Sequence, residues 1–95
     1  MSSLNKIPKK NKNLAWRIIN NEAVVMPLEN QAKEEEKLNI FNETATRIWE
    51  LIDGNNSVAG IIKKITNEYD IGFKETEFHV KSFLDSLFKK GLIDF

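Results

Sequence analysis

Apolar positions fall into short alternating runs over the first part of the chain and into helical spacing over the rest. In "AWRIINNEAVVMPL", Trp16, Ile18 and Ile19 predict a first short strand. Asn20-Asn21 supply turn chemistry, because asparagine tolerates positive φ, and Ala23 to Met26 predict a second strand rich in β-branched valine. Pro27 cannot donate to a ladder and marks that strand's end or an edge. "KLNIF" predicts a third strand, with Leu38 and Ile40 on one face and Asn39 and Phe41 on the other. Asn42 then offers an N-cap, and Glu43 sits in the first turn, where the helix dipole favours negative charge. Ala45, Ile48, Trp49 and Ile52 follow helical spacing up to Gly54, a residue suited to a left-handed cap. Ser57 caps a second helix with Val58, Ile61, Ile62 and Ile65 as its stripe and Tyr69 as an extension. "DIGFK" breaks the pattern, and a third helix runs from about Glu75 to Lys90 on a core face of Val80, Phe83, Leu84 and Leu87. Gly91 ends it, and "LIDF" closes the chain as a short tail.

Three strands followed by three helices predict an α+β, winged-helix-like domain: a small three-stranded antiparallel sheet, then three helices. The expected boundary places the domain at 14–95, behind a flexible basic arm at 1–13. "ENQAKEEEK", at 29–37, reads as a polar, mostly acidic connection with a short helical turn possible.

Charge changes the picture little. The 14 basic and 14 acidic residues cancel, although residues 1–20 carry Lys6, Lys9, Lys10, Lys12 and Arg17 and no acid. No apolar run approaches the ~18–20 residues of a membrane span, and the arm has no apolar segment behind it to make a secretory signal. The absence of cysteine removes disulfides, thiolate metal sites and thiol nucleophiles, and fits a reducing cytoplasm.

Catalytic chemistry is hard to assemble from these residues. The glycines are scattered at helix ends or inside a helix, so no phosphate-cradling loop forms. His79 is the sole histidine, with Glu75 one turn earlier, which falls short of a metal site or a general base with its partners. No metal, cofactor or catalytic residue is expected. Trp16 and Trp49 both fit core positions, whereas Phe78 lies away from the stripe of its own helix, where an aromatic can mark a binding surface. A winged-helix inventory invites a DNA-binding reading. Against it, Lys81, Lys89 and Lys90 of the third helix are offset by Glu75, Glu77 and Asp85. Lys63 and Lys64 of the second are followed by Glu68 and Asp70. Neither helix presents a basic stripe, and phosphate neutralisation supplies most of the affinity for DNA. A DNA binder built on this chain leans on the lysine-rich arm. A structural subunit of a larger enzyme is a further alternative.

One resemblance narrows the field. "AWRIINNEAVVMPLE", "LNIFNETATRIWELIDGNNSVAGIIKKITNEYDI" and "EFHVKSFLDSLFKKGLIDF" together resemble the PqqD-like family over about residues 15–95. Asn42, Glu43, Ala45, Ile48, Trp49, Glu50, Leu51, Asp53 and Gly54 carry the most specific part of the pattern. Phe41 stands where the family often has leucine, His79 where it often has aspartate, and the acidic connection is longer than usual. The resemblance implies a non-catalytic peptide chaperone or recognition element. Such a protein captures the leader segment of a ribosomally synthesised precursor peptide and presents it to a modifying enzyme, often a radical SAM enzyme. It also implies that the leader adds as a strand beside the third strand and packs over the third helix.

On that reading the candidate peptide-binding residues are Lys37, Leu38, Asn39, Ile40 and Phe41, an edge whose unpaired backbone groups can pair with a peptide. The second wall is the third helix, with Leu84 and Phe88 as an apolar floor, Glu77 and Lys81 beside them, and Phe78 and Asp85 further out. Nucleic acid and membrane are not expected partners. An open strand edge can also pair with a copy of itself, so monomer and homodimer are both compatible with the sequence.

Overall fold

A computed structural model describes residues 3–28 and 38–95; the acidic connection at 29–37, and Lys37 with it, lies outside the described residues. The elements are a 3-10 turn at Ser3–Asn5, β1 (Lys9–Lys10), β2 (Leu14–Ile19), β3 (Glu22–Pro27), β4 (Asn39–Ile40), α1 (Glu43–Leu51), α2 (Val58–Tyr69), α3 (Phe73–Lys89) and β5 (Ile93–Asp94). The expected α+β architecture is present: an antiparallel three-stranded sheet in the order β2-β3-β4, followed by three helices.

Local chemistry explains the junctions. Asn20 and Asn21 take φ of 53° and 66°, and Ile19 pairs with Glu22 across them, which is the geometry of a two-residue hairpin. Asn42 caps α1 by accepting from the Ala45 N–H, and Ser57 caps α2 by accepting from the Gly60 N–H. At the end of α3, the Gly91 N–H donates to the Phe88 carbonyl and the Leu92 N–H to the Leu87 carbonyl, both while Gly91 holds φ of 77°. This is a Schellman cap, and it throws the buried Leu92 and Ile93 back onto the core. α3 begins at Phe73, earlier than the expected start near Glu75. Phe73 is exposed, so apolar periodicity gives no sign of that first turn. It is secured instead by Thr76, whose hydroxyl donates to the Gly72 carbonyl.

The core joins one face of the sheet to all three helices. Trp49, Ile61, Ile62, Val80 and Val25 are completely buried, and Phe41, Ile48, Leu84 and Leu87 are buried around them. Trp16 departs from its expected core position, with 40% exposure. β2 is an outer strand of the sheet, so this indole covers the core from the side, edge-on to Trp49 at 5.9 Å.

The arm expected to be flexible is docked from the 3-10 turn onward. β1 pairs antiparallel with β5, Pro8 is buried, and the Asn11 N–H donates to the Leu92 carbonyl. Lys10 explains the docking. Its Nζ donates to the Ile52 carbonyl at 2.9 Å and lies 4.6 Å from the Trp16 ring centroid and 5.0 Å from that of Trp49. Burial lowers the Lys10 pKa from its ordinary value, an effect opposed by the charges of Asp53 and Glu50. The tail therefore becomes a strand, and a cation available on paper to nucleic acid is spent on holding the chain's own start.

Candidate functional site

Among the described residues, β4 is an outer strand of the three-stranded sheet, paired with β3 on one side only. Its outward groups follow from its inward ones. The Phe41 N–H donates to the Ala23 carbonyl, and Asn39 lies opposite Val25. In an antiparallel ladder the backbone groups of alternate residues point to opposite sides. Those of Asn39 and Phe41 therefore face β3, and those of Leu38 and Ile40 face outward, free to pair with another strand. The side chains of Leu38 and Ile40 are exposed, at 52% and 59%, and Phe41 is buried, as the alternation predicts.

This edge is held rigidly from beneath. Thr46, buried in α1, accepts from the Ala23 N–H at 2.7 Å and donates to the Phe41 carbonyl at 3.2 Å. One hydroxyl thus ties α1 to both β3 and the end of β4. The Phe41 ring packs against Trp49 at 5.6 Å and edge-on to Phe83 of α3 at 5.1 Å. A strand running straight into a capped helix is therefore an edge with a fixed base, which limits the ordering cost of any ligand that pairs with it.

The wall beside β4 is one particular flank of α3. Phe83 meets Phe41, and Lys90 Nζ donates to Asn39 Oδ1 at 3.2 Å. His79 and Ser86 share that flank by the three- and four-residue spacing of helical neighbours. The opposite flank carries most of the residues expected from the sequence. Lys81, Leu84, Asp85 and Phe88 line a groove of about 290 Å³ together with Val58 and Phe95. Glu77 belongs to this side through its ion pair with Lys81 at 2.9 Å, and Phe78 is 67% exposed. The expected residues are consequently divided. Leu38 to Phe41 form the edge, whereas Lys81, Leu84, Asp85 and Phe88 form a separate groove across the helix. Phe83 and Lys90 supply the contacts to β4 that sequence reasoning had assigned to the core and to the helix end. A helical wheel displays both flanks of α3 and cannot say which one the strand lies against.

A smaller cleft of about 180 Å³ lies between the hairpin and α1, lined by Ile18, Asn21, Glu43, Thr46, Arg47, Glu50 and Tyr69. Its cation is already used. Arg47 binds Glu68 through Nε and Nη2, both at 2.8 Å, clamping α1 to α2, and the same contact holds the Glu68 carboxyl below its ordinary pKa. Among the described residues no group of histidines and carboxylates is placed to hold a metal ion, and no helix is long and apolar enough to cross a membrane.

Comparison with known proteins agrees with this fold. No curated protein matches the chain significantly. A solved structure, TbiB1 in complex with the TbiA(beta) leader peptide, shares the fold with a TM-score of 0.78 and 22% identity, covering 90% of this chain and 94% of that one. Residues 22–93 match the family of coenzyme PQQ synthesis protein D, a span that takes in the hairpin's second strand, the edge strand, all three helices and the start of β5. That match spans well over half of the chain, and the chain belongs to the PqqD family.

Proposed function

We propose that this protein captures an extended peptide, the leader segment of a ribosomally synthesised precursor, and presents it to a modifying enzyme. The observation that carries the reading is the edge of β4: outward-facing backbone groups at Leu38 and Ile40, a fixed base through Thr46, and the Phe83–Lys90 flank of α3 alongside. Pairing with a main chain gives affinity with little demand on sequence, and the helix flank supplies selectivity. Membership of the PqqD family and the leader-peptide complex of the structural neighbour support the same reading. The binding set it implies is Leu38, Asn39, Ile40 and Phe41 with Phe83 and Lys90. The groove of Lys81, Leu84, Asp85 and Phe88 is left to a different contact, for which the modifying enzyme, a radical SAM enzyme among the candidates, is a suitable occupant.

The test is an NMR titration of the labelled chain with the leader of a precursor peptide encoded beside it. Shifts concentrated at Leu38 to Phe41, Phe83 and Lys90 support capture at the edge. Shifts confined to Lys81, Asp85 and Phe88 move the site across α3, and no shift at saturating peptide overturns capture of a free leader.

A further inference from the structure

Resting on the peptide-capture reading, we infer that the captured segment carries an aspartate or glutamate that pairs with Lys90, on the same face as an apolar residue that packs on Phe83. The lysines of the second half of α3 and its C-cap are not equivalent. Lys81 holds Glu77 at 2.9 Å, and Lys89 holds Asp85 at 3.1 Å, each one turn back along the helix. Among the described residues, Lys90 holds only the neutral amide oxygen of Asn39, at 3.2 Å. Lys81 and Lys89 are therefore electrically satisfied, whereas the one beside the open strand, on an exposed side chain, meets no carboxylate among the described residues. A neutral amide is a weaker partner for an ammonium than a carboxylate is. Among the described residues, none facing this cleft adds an anion to meet it. β4 and Leu38 before it carry no charge, and the flank of α3 offers His79, Phe83 and Ser86, with Glu75 lying beyond His79 at 3.8 Å from its ring.

The geometry also sets the spacing. Phe41 and Asn39 lie two residues apart on the same face of the strand, and they meet Phe83 and Lys90 respectively. A strand paired with β4 presents its own same-face residues at steps of two. The apolar residue and the acid are then two or four residues apart. In an antiparallel ligand the apolar residue comes first; in a parallel one the acid does. The ligand class is accordingly an extended peptide with an apolar-x-acid or acid-x-apolar signature, or the same with three residues between.

Panning random 14-residue peptides displayed on phage against the full chain, and in parallel against Lys90→Glu, tests this. Binders to the unsubstituted protein should carry an acid at that spacing. Lys90→Glu should weaken them by about five- to tenfold, the size of a partly exposed ion pair reversed in sign, and a lysine in place of the acid should recover the loss. Peptides that slow amide exchange at Leu38 and Ile40 yet bind both proteins equally overturn the Lys90 assignment and leave capture intact. If no selected peptide slows exchange at those amides, capture at this edge falls and the assignment falls with it.

Discussion

Thr46→Val tests whether one hydroxyl holds the open edge in place. Valine keeps the shape of threonine and removes both hydrogen bonds, the one accepted from the Ala23 N–H at 2.7 Å and the one donated to the Phe41 carbonyl at 3.2 Å. Ala23 is completely buried, so water has no route to its N–H in the folded state. A buried donor left without a partner costs about 1–3 kcal/mol, and the second bond is worth about 1 kcal/mol. The expected loss is about 2–4 kcal/mol, a large share of the roughly 5–15 kcal/mol that holds a domain of this kind together. In a thermal melt it corresponds to roughly 10–30 °C. Thr46→Ser is the control, since it keeps the hydroxyl and loses only a methyl group worth about 0.8 kcal/mol. Urea unfolding followed by tryptophan fluorescence gives the global number, and amide exchange at Phe41 gives the local one. The valine variant should be the less stable of the two, with faster exchange at Phe41. A valine variant as stable as the serine variant, with unchanged exchange at Phe41, refutes the bridging role.

Other consequences can be checked with the same measurements. Asn42→Ala removes the cap on the Ala45 N–H and should cost about 1 kcal/mol in urea unfolding. Gly91→Ala places a Cβ at φ of 77°, where open space removes any clash but not the backbone penalty, and should cost about 1–2 kcal/mol and speed exchange at Leu92. Lys10→Ala should release β1 from β5, seen as faster exchange at Asn11, whose N–H donates to the Leu92 carbonyl. The Glu68 carboxyl is held below its ordinary pKa chiefly by its hydrogen bond from Arg47, and that of Asp53 by the Asn55 backbone N–H. Their stabilisation is complete above the unfolded carboxylate pKa of about 4 and is lost as pH falls through the lower folded values. Glu68→Gln should therefore flatten the acid limb of a stability–pH profile, and an unchanged limb contradicts the assignment.

The sequence made the hairpin and the three helices legible because each carried its own local signal. Asparagine pairs mark the hairpin, Asn42 and Ser57 mark helix starts, Gly91 marks a helix stop, and the stripes of α1 to α3 are regular. What it hid depended on long-range contacts. Lysines in a polar arm look solvated until Lys10 is seen between two indoles and the Ile52 carbonyl, contacts made across 42 residues in the last case. Trp16 fits a strand's core face, and only the order of strands shows that this strand is an outer one. Thr46 looks like an ordinary polar position in a helix, and its partners lie in the sheet. Alternation made a strand readable at Leu38 to Phe41, and the family resemblance marked it as the candidate edge. The flank of α3 beside it was not readable, because a single helix read by periodicity has two equal margins. The aromatic pair Phe41–Phe83 and the Lys90–Asn39 hydrogen bond break that symmetry.

Strand addition at β4 is tested most directly by backbone amide exchange at Leu38 and Ile40 with and without saturating leader peptide. These are the residues whose backbone groups face outward from the ladder. Pairing with a peptide should slow exchange at both, while exchange at Lys81 and Asp85 across α3 stays as it was. Peptide binding that leaves Leu38 and Ile40 exchanging at their free rates contradicts the account, since the captured chain then lies elsewhere.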